Sequence, residues 1–145
     1  GDSLWNKMVS TLKKITPKVI NNTDYQLLCN LGLTSTKANL LKTLAHDIVN
    51  RTLKLKKFKK MSDQEISTVL LKYKGVGSWT VENFLIFSMY RHNVFPYSDY
   101  GVAKALKMIF NVDKINEKQI EYIYRKCNGV MTTLTICLWF ITNNF

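Results

Sequence analysis

Apolar residues recur at intervals of three and four along this chain of 145 residues, and only two prolines and six glycines interrupt them. That spacing gathers side chains on one stripe of a helix, and the alternation that strands need is missing, so the expected fold class is all-α. Leu4, Trp5, Met8, Leu12 and Ile15 predict a first helix over Ser3 to Ile15, ended before Pro17. A second is expected from Asp24 to Leu31, stopped by Gly32. The third, about Thr36 to Asn50, is capped by Ser35 or Thr34 and turns Ala38, Leu41, Leu44, Ala45 and Ile48 inward. Ser62 opens a fourth, with Glu65 as its capping-box partner and Ile66, Val69, Leu70 and Tyr73 on the inner face. Further helices are expected over Ser78 to Tyr90, Asp99 to Phe110, Asn116 to Cys127 and Thr132 to Ile141.

A hydrophobic share of 46% against 21% charged residues excludes a disordered chain, and the length suits one domain. The longest apolar runs fall short of the ~18 residues a membrane span requires, so no membrane association is expected. Cys29, Cys127 and Cys137 are an odd number without close pairs. They predict buried thiols in a reducing compartment rather than a disulfide framework or a zinc or iron–sulfur site. The start GDSLWNKMVS has no basic head followed by an apolar stretch, so no signal peptide is read there and an intracellular protein is expected. Twenty-one Lys and Arg against ten Asp and Glu leave a charge of +11, which points to a polyanion, nucleic acid first. Six of the ten residues in RTLKLKKFKK are basic. Leu53, Leu55 and Phe58 can anchor that run as a loop with its charges in water, or the lysines can neutralise a phosphate backbone.

The fourth and fifth helices are joined by Lys74-Gly75-Val76-Gly77, which leaves room only for a tight hairpin. Glycine lets such a turn bend sharply and lets a ligand approach the backbone, while the amides of the turn and of the next helix N-terminus can receive a phosphate. Any helix–turn–helix joint can use glycine for the turn alone. Farther on, Asp99 stands where a helix begins, and Asp is a good N-cap. A helix N-terminus also keeps a carboxylate ionised, so the cap and a catalytic anion are compatible readings.

The stretch LLKYKGVGSWTVENFLIF followed by VFPYSDYGVAKAL resembles the helix-hairpin-helix and catalytic-aspartate segments of the helix-hairpin-helix (HhH-GPD) superfamily of DNA glycosylases. Within it the chain is most similar to the 3-methyladenine DNA glycosylase II branch, through Trp79-Thr80-Val81, Val94-Phe95-Pro96 and Asp99, with twenty residues between Trp79 and Asp99. Leu31-Gly32-Leu33 through Lys37-Ala38 and Leu44-Ala45 resembles the branch's upstream helix pair. The resemblance implies a glycosylase core over 1–145, the hairpin motif over 62–90, and an active site in a cleft beside the hairpin. It implies Asp99 as the catalytic carboxylate. Trp79, Trp139, Tyr100 and Asn83 become the base pocket, where indoles would stack on a cationic alkylated purine. Lys72, Lys74, Gly75, Val76, Gly77, Ser78 and Thr80 become the phosphate contacts. The main-chain carbonyls of Leu71, Tyr73 and Val76 become ligands for a structural Na+ or K+, with no cofactor required.

Trp79 occupies the position where strand-cutting relatives carry a Schiff-base lysine, so the implied enzyme is monofunctional. The implied partner is double-stranded DNA with damaged bases, met by a monomer in bacterial cytoplasm or eukaryotic nucleus, in base excision repair with the damaged base flipped out. Lys74 replaces the usual hairpin proline, Met131 an arginine and Asn83 a pocket aromatic, and the resemblance starts without the family's first helix, so a fragment or a reduced family member is expected. Two alternatives stay open: a non-catalytic DNA-binding module, and a glycosylase for oxidised or deaminated bases.

Overall fold

The structure, a computed structural model, describes residues 2–144. Every regular element among them is helical, and the chain divides into two compact units, the first ending at Gly77 and the second starting at Ser78.

The first unit holds α1 (Asp2–Leu12), α2 (Pro17–Asn22), α3 (Tyr25–Asn30), α4 (Ser35–Val49), a 3-10 helix (Leu55–Lys60) and α5 (Asp63–Leu70). Helix α1 stops three residues earlier than its apolar spacing predicts, because Lys13 turns left-handed at φ 61° and the chain must be extended at Thr16. Thr16 caps α2, a six-residue helix with Pro17 in its first turn, where a proline has no hydrogen bond to lose. That element is too short to show a period and was not expected. Asp24, Thr34 and the Ser62–Glu65 box cap α3, α4 and α5.

Helix α4 packs on α2 and α3. Around it gather Met8, Ile20, Leu28, Leu33, Ala38 and Ala45, with Leu4, Leu12 and Leu41 partly buried at the margin. Lys42 leaves the surface to donate to the carbonyls of Asn21 at 2.6 Å and Thr23 at 2.7 Å, closing the end of α2. Trp5, assigned to the inner stripe by its spacing, is instead exposed.

The second unit holds α6 (Ser78–Phe87), α7 (Tyr100–Phe110), α8 (Glu117–Cys127) and α9 (Met131–Asn144). Helix α6 ends three residues short of Tyr90, which adopts φ 54° so that the Arg91 amide can donate to the Leu85 carbonyl. The core is Phe95, Val102, Ala105, Leu106, Ile123, Met131 and Leu138, with α7 and α8 packed on α9. The cysteines depart from expectation: Cys29 and Cys127 are half-buried at the margins of the two cores, and Cys137 is exposed.

Candidate active site

Asp99 is set by the turn that precedes α7 and by the threonines of α9. Thr132 donates to the Arg91 carbonyl at 2.6 Å and accepts from the Val94 amide at 3.1 Å, and Thr135 donates to the Val94 carbonyl at 3.2 Å. These bonds seat the irregular segment, with Val94, Phe95 and Pro96 buried. The Asp99 amide then donates to the Pro96 carbonyl at 2.9 Å, and its side chain caps α7 by accepting from the Val102 amide at 3.0 Å.

Two further donors converge on the same carboxylate. Trp79 of α6 donates its indole N–H to Oδ2 at 2.7 Å, and Trp139 of α9 donates to Oδ1 at 2.7 Å. Burial by itself pushes the Asp99 carboxyl up, but the Trp139, Val102, Trp79 and Gly101 donors outweigh it and hold the group below its ordinary value of 3.8. An anion held this way by three elements is preorganised, since it need not reorient when positive charge develops nearby.

The indoles therefore do more than present ring faces. Phe87 stacks on Trp139 at 5.9 Å between centroids and 14° between planes, so one face of that indole is already covered. Trp79 is 56% exposed, and Asn83 donates to its carbonyl at 2.8 Å, one turn on. Tyr100, a predicted pocket residue, is 83% exposed in the first turn of α7.

Three residues at this site carry no signal in the sequence. Gly101 is crowded, although its backbone angles are ordinary: an added Cβ would lie 3.0 Å from Trp139 Cδ1 and 3.2 Å from Asp99 Oδ1, so those side chains would have to give by a few tenths of an ångström. Phe87 is the stacking partner just described. Glu82 on α6 has a buried Oε2 with no hydrogen-bond partner, and burial followed by the charge of Asp99 pushes its carboxyl up. Contacts made 20 and 40 residues apart in the chain leave no local pattern to read.

The glycine turn belongs to the first unit. Gly75 is left-handed at φ 97°, with Thr36 Cγ2 only 3.1 Å from where its Cβ would be. Gly77 needs neither exemption: nothing lies within 4 Å of its added Cβ, so its backbone is open to approach. Tyr73 donates to Asp47 Oδ2 at 2.8 Å, and its carbonyl accepts from the Val76 amide at 3.0 Å, closing the turn. Lys72, Tyr73 and Lys74 line a cavity of about 800 Å³ with Asp47, Thr52 and Leu53. Asp99, Trp79 and Trp139 do not line it. At the start of α6, Ser78 and Thr80 are exposed.

Among the described residues no group of His, Cys, Asp and Glu side chains could hold a metal, and no helix is long and apolar enough to cross a membrane.

Residues 2–128 match the family described as "HhH-GPD superfamily base excision DNA repair protein". A Bacillus subtilis protein, YfjP, provisionally assigned as a DNA-3-methyladenine glycosylase, is 36% identical over 104 residues, covering 72% of this chain and 36% of its own. The crystal structure of a Bacillus halodurans DNA-3-methyladenine glycosidase superposes with a TM-score of 0.83 at 18% identity, over 99% of this chain and 68% of that one. A Schizosaccharomyces pombe 3-methyladenine DNA glycosylase, solved with abasic DNA, superposes at 0.74 with 24% identity, over 98% and 70%. The chain spans between 36% and 59% of the length of the curated relatives it matches.

Proposed function

The chain belongs to the HhH-GPD superfamily of base excision DNA repair proteins, and from that premise we propose that it hydrolyses the N-glycosidic bond of alkylated purines in double-stranded DNA, with Asp99 as the catalytic carboxylate. The observation that carries this reading is the clamp of Trp79 and Trp139 on Asp99, both indole N–H groups at 2.7 Å.

Alkylation at N3 or N7 leaves the purine cationic, so the bond electrons return to the base as it departs and neutralise it. Positive charge then builds on the deoxyribose. Asp99, ionised and fixed, offsets that charge electrostatically. Water adds to the sugar carbon, sheds its proton to solvent and leaves an abasic site, with no covalent enzyme intermediate because Trp79 offers no amine. Both indole N–H groups orient the carboxylate in this reading, and Trp79, 56% exposed, keeps ring surface for the extruded base, with Trp139 beside it. Asn83, on α6 with Trp79, and Tyr100, which opens α7 next to Asp99, would be further contacts for that base.

The backbone of the duplex is assigned separately to the two units. In the first, the amides of Gly75, Val76 and Gly77 with Lys72 and Lys74 would hold a phosphate, and the open space at Gly77 supports this. In the second, Ser78 and Thr80 expose hydroxyls at the start of α6. The carbonyls of Leu71, Tyr73 and Val76 would hold the monovalent cation. Tyr73 gives one lone pair to the Val76 amide and keeps the other for an ion. When bound, such an ion would supply positive charge toward a phosphate. The protein would act as a monomer wherever the DNA is kept.

The test uses duplexes that each carry one alkylated, deaminated or oxidised base, followed by alkali to cleave abasic sites. Wild type should release the alkylpurine, and Asp99→Asn should slow release by at least about 100-fold. Release of deaminated or oxidised bases alone would reassign the lesion. Equal DNA binding by both proteins with no release from either would leave a non-catalytic module, and nicking without alkali would contradict the monofunctional chemistry.

A further inference from the structure

Between Asp47 and Asp63 the chain contains six basic residues and no acidic one. Five of the six are Lys54, Lys56, Lys57, Lys59 and Lys60, all exposed, and none of them takes part in an ion pair among the described residues. The segment is nevertheless built rather than loose. Phe58 is 3% exposed and Leu53 5%, and the Lys57 amide donates to the Lys54 carbonyl at 2.9 Å to close the first 3-10 turn.

With three residues per turn and a rise of about 2 Å each, positions three apart share a face of a 3-10 helix. Leu55 and Phe58 form one row, which Phe58 anchors in the core while Leu55, at its start, stays 40% exposed. Lys54, Lys57 and Lys60 form a second row and Lys56 and Lys59 a third, each with lysines repeating at about 6 Å. The result is a shelf of mutually repelling ammonium groups held in register by an apolar anchor. No energetic benefit to folding explains such an arrangement, since like charges in close rows destabilise the state that holds them together.

The shelf continues a surface that already carries charge. Thr52 and Leu53, the residues that lead into it, line the same 800 Å³ cavity as Lys72 and Lys74. Asp47, the carboxylate in that wall, is engaged by Tyr73 at 2.8 Å and by His46 at 3.2 Å. A membrane surface fits poorly, because an interfacial helix presents a whole apolar face to lipid, and here Phe58 and Leu53 are turned into the protein and leave Leu55 alone outside. A rigid polyanion with one charge per about 1.7 Å of axis fits well.

We propose that Lys54, Lys56, Lys57, Lys59 and Lys60 form a second DNA-backbone contact, distinct from the glycine turn, that grips phosphates away from the damaged nucleotide. This inference rests on the reading of duplex DNA as substrate. It assigns the shelf to affinity and search, with no part in bond cleavage.

The experiment replaces K56Q, K57Q, K59Q and K60Q together in the full chain and measures binding of a short undamaged duplex by fluorescence anisotropy across a salt series. A second protein, K107Q/K114Q/K118Q/K126Q, removes the same net charge from α7, the loop after it and α8. For wild type, log K falls linearly with log salt, by about 0.9 for each phosphate neutralised. The shelf variant should flatten that slope by about 2 or more, and the control by distinctly less. Single-turnover base release from the saturated complex should match wild type. Equal flattening in both variants would reduce the shelf to bulk charge and overturn the proposal, as would an unchanged slope in the shelf variant. Binding to anionic lipid vesicles that vanishes in the shelf variant, with its DNA slope intact, would overturn it in favour of a membrane. If the quadruple variant does not fold, the pairs K56Q/K57Q and K59Q/K60Q should each flatten the slope by roughly half as much. Failure of the glycosylase reading is seen separately, as absence of base release by wild type, whatever the slopes are.

Discussion

Asp47 and Asp99 are both carboxylates gripped by two side-chain donors, yet they belong to different kinds of structure. Asp47, in the first unit, accepts from its α4 neighbour His46 and from the Tyr73 phenol, and the Tyr73 bond ties the last turn of α4 to the chain just before the glycine turn. Its carboxyl is lowered first by Tyr73 and then by His46. Asp99, in the second unit, accepts from two indoles and from backbone amides, none of which can give up its proton in the working range. The phenol that holds Asp47 is pushed up to about 12, so that joint gives way only where the phenol ionises or the carboxylate is protonated. Asp99, held by indole and backbone N–H groups, is a fixed negative charge, which is what the proposed mechanism asks of it.

The contrast is broken most directly by removing each charge in turn. Asp99→Asn keeps an N-cap residue for α7, so folding should be little changed while base release falls by two orders of magnitude or more. Asp47→Asn should leave single-turnover release near wild type. Equal loss from both would erase the distinction.

Gly101→Ala sharpens it without touching any charge. Alanine favours a helix by up to about 1 kcal/mol over glycine. Here, however, its methyl would press on the Trp139 ring and the Asp99 oxygen, 3.0 and 3.2 Å from the added carbon. Release should slow by roughly 10- to 100-fold, because small displacements of a positioned group are expensive. Thermal stability should change little. Unaltered kinetics would show that the clamp tolerates displacement and that its geometry is not what matters.

The smaller effects lie in pH. Tyr73 is pushed up to about 12 by burial and by its bond to Asp47. Asp47 is held below 3.8. A lowered carboxylate stabilises the fold above its unfolded value and loses that contribution as pH falls through the folded one. A raised phenol stabilises below its unfolded value of 10.0 and loses that contribution as pH climbs toward about 12. The melting temperature of wild type minus that of Tyr73→Phe should therefore form a plateau through neutral pH and shrink at both extremes. A difference independent of pH would show that the hydroxyl contributes nothing through Asp47.

Glu82 has the opposite sign to Asp47. Burial and then the charge of Asp99 raise its carboxyl above 4.5, so the native state is favoured while Glu82 is protonated and loses that advantage as pH rises through the folded value. Glu82→Gln should gain melting temperature relative to wild type on going from acid to neutral pH. A gain that shrinks over that range would mean the buried oxygen has found a partner.

Much of the scaffold was legible in local pattern. The Ser62–Glu65 box, the Gly32 stop and the helix starts at Thr34, Asp99 and Asn116 depend on neighbours three or four residues away, and the structure has each of them. Helix α2 was illegible because six residues show no period, and Trp5 was misread because spacing assigns a stripe but not whether anything covers it. Trp79 and Trp139 came forward through a family resemblance, which says where an indole stands and nothing about where its N–H points.

By itself, then, the chain's order of residues determined most of its helices and caps, its positive charge and the tight turn at Gly75, because each follows from short-range sterics or from composition. Only tertiary structure decided that two indoles from α6 and α9 meet one carboxylate at the head of α7, that Gly101 lies close against them, and that Glu82 Oε2 is buried without a hydrogen-bond partner. Those outcomes depend on packing between segments 20 to 40 residues apart in the chain, where the energy lies in contacts that no local window contains.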